Sequence, residues 1–372
     1  MQIPNHASLS SVLIISLFGL SCSSNGSEDS SDGGGNKTGD GNDDSQDENS
    51  GASGGTNGAG SGGSSNSGAA ATGGQKGNPP PLAPDCTVFP ADNPWNADIS
   101  ALPVHSGSSK FVASVGADSN MHPDFGTFWD NAPIGIPYVV VDSSTDSVGI
   151  NYVAYGNESD AGPFPIPLDA LVEGGADGDG DRHVIAVDTD ACKLYEIYRG
   201  FPQTSQWDAD SGAEYDLSKN DHHPEGCTSA DAAGLPIFPG LVRYDEVVED
   251  GEINHALRFT VVQSQKAYIF PARHFASSNT DPNLPPMGLR FRMKANYDCS
   301  SFSSEARVIC TALKKYGMIM ADNGSNWYLS GAHDPRWNDD ALGDLKQIPG
   351  NAFEVVDTGD PIVTESPNCS IP

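Results

Sequence analysis

The chain has 372 residues, of which 50 are acidic and 19 are lysine or arginine, for a formal net charge of −31 at pH 7. That balance excludes a nucleic-acid partner, because phosphate contacts need a basic surface. It also argues against polyanionic substrates, which an acidic surface repels.

In chain order, the first feature is the apolar run "SVLIISLFGLS" at residues 11–21, followed directly by Cys22. The run is too short to span a bilayer, which takes about 20 residues, and it has the size of the apolar core of a secretory signal. A short apolar run closed by a cysteine resembles the N-terminus of bacterial lipoproteins. The resemblance implies export and lipidation at Cys22, with residues 1–22 as the signal segment and the bacterial outer membrane or cell surface as the destination. Residues 23–81 are nearly all Gly, Ser, Asn, Asp, Ala and Thr and close on "NPPP". Such a segment has too little apolar surface to offset its ordering entropy. It reads as a flexible tether, stiffened at its proline end. Membrane contact is therefore expected through the lipid anchor alone.

Residues 82–372 carry 42 acidic and 17 basic side chains, a net charge of −25, and are numerous enough to bury a large core as a single globular module. Six cysteines fall in it: Cys86, Cys192, Cys227, Cys299, Cys310 and Cys369. An even count in an exported chain implies up to three disulfides and leaves their pairing open. No CxxC spacing occurs, which argues against a zinc ribbon or a redox pair.

Short β-branched and aromatic runs recur between Gly, Pro and Asp punctuation, as in "PYVVVD", "VGINYVAYG" and "MGLRFRMKA". The pattern predicts a mainly β module, an antiparallel β-sandwich or barrel-like fold with one or two short helices. Three hairpins are expected. "HVIAVDTDACKLYEIY" turns at "DTDA", "HALRFTVVQSQKAYIFPARHF" turns at "SQ", and "GMIMADNGSNWYLSG" turns at Asn323–Gly324. A helix is expected from a cap at Ser303 or Ser304 to a stop at Gly317, with Val308, Ile309, Ala312, Leu313 and Tyr316 on one face. Cys310 lies near that face, within reach of Cys299. "DPRWNDDALGDLKQI" suggests a second, shorter helix. "DGDGD", with Asp177, Asp179 and Asp181, resembles the opening of a calcium loop, although Arg182 stands where that loop places glycine.

The blocks "FPADNPWNADIS", "TSADAAGLPIFPGLVRYDE", "PPMGLRFRMKA", "YGMIMADNGSNWY" and "DPRWNDD" resemble a group of secreted bacterial proteins. The resemblance implies one continuous module and carries no activity with it.

No GxSxG elbow, HExxH pair, Walker loop or GxGxxG after a strand occurs, so a classical lipase, a zincin protease and a nucleotide enzyme are not expected. What remains is a density of polar residues in strands and beside prolines. "TSADAAGLPIFPGLVRYDEV", residues 228–247, combines apolar residues that ask for burial with prolines and glycines that keep it irregular, and it holds Asp231, Asp245 and Glu246. Paired carboxylates are the apparatus of glycoside hydrolysis. Asp231 with Asp245 or Glu246 is the expected pair, with His274 tuning it. Arg273, Asp322, His255, Trp327 and Trp337 are the expected substrate contacts, the tryptophans as stacking platforms. A second reading gathers His122, Asp124 and His183, with His255 and His274, around a metal. A third makes the module a non-catalytic surface protein that binds glycan or protein. The leading expectation is a surface-anchored hydrolase acting on extracellular polysaccharide.

Overall fold

A computed structural model of the chain describes residues 86–371; Cys22, the signal segment and the tether lie outside them. In chain order the regular elements are α1 (Ser108–Val115), β1 (His122–Asp124), β2 (Phe128–Trp129), β3 (Ala132–Pro133), β4 (Tyr138–Val141), β5 (Gly149–Tyr152), β6 (Val184–Asp188), β7 (Lys193–Tyr198), β8 (Phe201–Pro202), β9 (Gln206–Ala209), β10 (Ser211–Asp216), β11 (Leu257–Val261), β12 (Arg290–Met293), α2 (Ser304–Lys315), β13 (Met318–Asn323), β14 (Tyr328–Ser330), α3 (Asp339–Leu342) and β15 (Phe353–Val355). The strands form a six-stranded sheet of order β1-β14-β11-β13-β12-β15, a four-stranded sheet of order β10-β7-β6-β4, a three-stranded sheet of order β5-β9-β8, and the β2-β3 hairpin. The mainly β, sandwich-like class expected from the sequence is the class observed. Pairing within it is mixed, since β1–β14, β11–β13, β4–β6 and β5–β9 run parallel.

The sheets stack in layers because of how side chains alternate. In β6, Ile185 and Val187 join the large core that lies on the six-stranded sheet, while Val184 and Ala186 join a smaller core with Trp207 and Ala209 of β9. A strand whose two alternate sets are both buried belongs to a central layer. The four-stranded sheet is that layer, and "VIAVD" is buried throughout.

Locally encoded features fall where the sequence put them. β6 and β7 form the expected hairpin. The Ser303 side chain caps α2 by accepting the Ala306 N–H, and Gly317 follows with φ 67°. α3, with the 3-10 turn after it, occupies "DPRWNDDALGDLKQI". α1 was not anticipated. The other two hairpins do not form. β13 and β14 are antiparallel to each other, but β11 lies between them and pairs with both. The segment after β11 makes only isolated bridges through Tyr268, with Met287 and Val363.

The six cysteines pair as Cys86–Cys192, Cys227–Cys369 and Cys299–Cys310. Three disulfides point to an oxidising, extracellular environment. No helix among the described residues is long and apolar enough to cross a membrane.

Candidate functional site

The site is set by one face of the six-stranded sheet. Arg258 sits in β11, opposite Ser330 of β14 in the ladder that pairs Phe259 with Leu329, and Ser330 in turn pairs with Asp124 of β1. These three side chains therefore share a face, as paired residues must. Asp322 of β13 reaches that face by an irregularity. Phe259 pairs with Met320 but Thr260 pairs with Asp322, so Ala321 is an extra residue in β13. A one-residue insertion reverses which side the following side chains take. Without it Asp322 would point away from Arg258.

Arg258 is only 4 % exposed. Its Nε and Nη2 donate to the Asp231 carboxylate at 3.3 and 2.9 Å, its Nη2 also donates to Asp322 Oδ2 at 3.3 Å, and its Nη1 donates to Ser330 Oγ at 2.8 Å. The fork-on-fork pair with Asp231 is the geometry that suits a planar guanidinium. Asp231 is delivered by the irregular loop of residues 228–237. Ser229 Oγ accepts the Asp231 N–H and donates to the Leu235 carbonyl. The Ala233 N–H donates to Ala321 at the bulge, and the Nδ1 of His274 donates to the Ala232 carbonyl at 2.8 Å. At the far end of the loop, both Glu196 carboxylate oxygens take the backbone N–H groups of Ile237 and Phe238. The loop is thus a packed floor.

Two cavities open over this floor. The larger, of about 450 Å³, is lined by Tyr155, Tyr198, Asp231, His274 and Asp322 among others. The smaller, of about 210 Å³, is lined by Asp124, Glu173, His183, Arg258 and Ser330 among others. Both include Asp181, Asp322 and Asn323. Asp322 keeps about a fifth of its side chain exposed, whereas the Asp231 side chain is fully enclosed. Withdrawal from water pushes the Asp322 carboxyl well above the usual carboxylate range, against the pull of Arg258; Asp231 and Asp181 add to the rise. Burial pushes Glu173 up to about 8, with the charge of Asp181 adding to it. Burial holds His183 down at about 4, so its ring is neutral at pH 7. The cleft therefore combines Asp322, a carboxyl with a raised pKa, with a second, solvent-facing acidic side chain, that of Asp181.

The other expected residues fall elsewhere. Glu246 does not meet Asp231. It binds Arg243 and, at 3.1 Å, His255, on the π-helical turn Asp245–Asp250, and neither it nor Asp245 lines either cavity. His255 is committed to Glu246 and to the Ala256 carbonyl. Arg273 donates to the His223 carbonyl and helps brace the loop. Trp327 is fully buried, stacked between Phe259 and Phe353, and Trp337 is 4 % exposed with its indole N–H on the Ala332 carbonyl. Both are core, so neither is a sugar platform. His122 packs on Tyr328. Among the described residues no group of three or more His, Cys, Asp and Glu is placed to hold a metal ion, which corrects the metal reading of His122, Asp124 and His183. The calcium-like loop is organised by a guanidinium instead. Arg182 Nη1 donates to the carbonyls of Gly175, Ala176 and Gly178, and Asp177, Asp179 and Asp181 face solvent.

Sequence reasoning missed Glu173 and Glu196. Glu196 carried a signal, as a lone acid in the apolar strand "KLYEIY"; Glu173, in "LVEGGADGDG", carried none.

No protein-family model, no curated protein and no solved structure matches this chain.

Proposed function

We propose that the protein is an exported hydrolase that cleaves extracellular polysaccharide, with Asp322 as the general acid and Asp181 as its carboxylate partner. The observation that carries the reading is the position of Asp322. It is held on Arg258, raised in pKa and exposed to both cavities beside a solvent-facing carboxylate. Glycosidic bonds are cleaved by two acidic side chains that flank the bond, one of which gives its proton to the departing oxygen. Asp322 would protonate the departing oxygen, while Asp181 would act as nucleophile or activate water. Asp231 stays enclosed and is the positioning residue that fixes Arg258, and Arg258 in turn fixes Asp322. Tyr155 and Tyr198 supply ring faces and hydroxyls along the larger cavity. Lipidation at Cys22 and the tether of residues 23–81 would hold this cleft away from the membrane, where a polymer can reach it.

The test is cleavage of a polysaccharide panel by the purified protein and by Asp322→Asn and Asp181→Asn. The expected result is a loss of about a hundredfold or more in each variant. Activity should fall on the alkaline side, where Asp322 gives up its proton. A polymer cleaved at the native rate by both variants removes this assignment. A polymer bound and never cleaved would make the protein a glycan-binding surface lipoprotein.

A further inference from the structure

His274 is held from several sides in the wall of the larger cavity. Its Nδ1 donates to the Ala232 carbonyl at 2.8 Å, and its backbone N–H donates to the Ala233 carbonyl at 3.1 Å. Arg273, one residue earlier, donates its own backbone N–H to the same Ala233 carbonyl at 2.8 Å. The imidazole stacks on Phe275, with centroids 5.9 Å apart and planes 14° apart. The ring is thus tied to the floor loop that carries Asp231, and it cannot turn over without giving up the Ala232 bond.

Only one of its nitrogens is used. Among the described residues Nε2 has no hydrogen-bond or ion-pair partner, and it stays open to solvent. The unpaired ring nitrogens of His122, His183 and His333 are, by contrast, enclosed in the protein. A neutral ring whose proton is fixed on Nδ1 carries a lone pair on Nε2. Nε2 is therefore an acceptor of fixed direction, on a ring that lines the same cavity as Asp322.

The group behind Nδ1 decides how that acceptor can be used. A carboxylate there would stabilise the imidazolium and make the ring a strong base. The Ala232 carbonyl is neutral, so it fixes tautomer and orientation without that added pull on a second proton. Such a ring is suited to accepting a hydrogen bond and less suited to carrying a proton away. We infer that, on the hydrolase reading on which this rests, His274 is a substrate contact: Nε2 accepts a hydrogen bond from one hydroxyl of the sugar in the larger cavity and selects glycans in which that hydroxyl is present and unsubstituted. A site that pairs one hydroxyl rejects the analogue without it, because its own acceptor is then left unpaired.

The test is calorimetric binding and cleavage of soluble cello-, xylo-, manno- and laminari-oligosaccharides by the full-length protein, His274→Asn and His274→Gln. Asparagine keeps an N–H where Nδ1 stands and removes the acceptor, whereas glutamine returns an amide to the neighbourhood of Nε2. For the oligosaccharide that the native protein binds most tightly, His274→Asn should weaken affinity about tenfold at an unchanged melting temperature, and His274→Gln should recover part of the loss. Monodeoxy analogues of that oligosaccharide then locate the hydroxyl. One of them should bind the native protein about tenfold more weakly than its parent, and His274→Asn should bind the two equally. A merely structural role would weaken parent and analogue alike and leave their ratio as it was. Should His274→Asn be unstable, His274→Phe, which keeps the stack on Phe275, makes the same comparison. Native affinity in His274→Asn, or a ratio it leaves unchanged for every analogue, overturns the inference. The expected pattern of binding without cleavage of any oligosaccharide leaves the contact standing and removes the hydrolase. Cleavage by His274→Asn at native kcat and KM does the reverse. A panel that the native protein neither binds nor cleaves removes both.

Discussion

Asp231 and Arg258 lock together through two parallel hydrogen bonds, of 2.9 and 3.3 Å, with both residues almost wholly buried beneath the two cavities. One partner comes from an irregular loop and the other from a central strand, so the pair fixes the loop to the sheet. Removing one member of a buried pair strands the other charge, at a cost of about 3–5 kcal/mol. Asp231→Ala should lower the unfolding free energy by that amount, read from the denaturant midpoint and slope. Arg258→Lys should also destabilise, because an ammonium cannot form the fork. A change below about 1 kcal/mol in both would mean that the pair is solvated.

The Glu173 carboxyl makes stability depend on pH, with a definite sign. Its folded value is pushed up from the ordinary 4.5 to about 8. Between those values the folded protein holds a proton that the unfolded chain has lost, so the contribution is fully present below the ordinary value and is lost as pH rises through the folded one. Glu173→Gln mimics the protonated form at every pH. Relative to the native protein, the variant should gain melting temperature steadily from about pH 5 to about pH 9. Glu196, also raised to about 8, is present in both proteins and cancels in the difference. A difference that is flat across this range would show that Glu173 ionises freely in the fold.

Gly317 ends α2 in the left-handed region at φ 67°, and a Cβ there would lie 2.2 Å from the Phe291 carbonyl oxygen. Gly251 has a similar φ of 70° but nothing within 4 Å of its would-be Cβ. The two positions separate backbone strain from collision. Gly251→Ala should cost about 1 kcal/mol, the price of the conformation alone. Gly317→Ala should cost clearly more, about 3 kcal/mol, because β12 must also move. Equal costs in chemical denaturation would show that the chain around Gly317 gives way freely.

What the sequence revealed of this fold was what its local chemistry encodes. Ser303 and Gly317 bound a helix by satisfying its own end groups, and "DTDA" turns a hairpin whose strands are neighbours in sequence. What it hid depends on long-range placement. The chain does reverse between β13 and β14, with its turn at Asn326–Trp327 rather than Asn323–Gly324, but β11 enters between the two strands, and no local pattern reports an intruding strand. Asp322 is catalytic in the proposed scheme only because Ala321 shifts the register by one. The stretch around Asp231 was legible as packed and irregular, from its mixture of apolar residues with proline and glycine. Its partner was not, since Arg258 lies 27 residues away and Glu246, nearer in sequence, is taken by Arg243 and His255.

Trp327 gives the sharpest separation of core from site. Its ring lies 5.3 Å from Phe353, 5.7 Å from Phe291 and 5.9 Å from Phe259, and its N–H donates to the Gly116 carbonyl at 2.8 Å. Truncating such a residue costs the transfer of a large aromatic group plus the cavity it leaves, about 3–5 kcal/mol. Trp327→Phe keeps most of the volume but leaves the Gly116 carbonyl without its donor, for about 1–3 kcal/mol. Trp129, which is 78 % exposed on the β2-β3 hairpin, should tolerate alanine within about 0.5 kcal/mol. Unfolding of the three variants, followed by tryptophan fluorescence and circular dichroism, checks the order. If Trp327→Ala keeps native stability and instead loses glycan binding, Trp327 belongs to the surface and the core described around it is wrong.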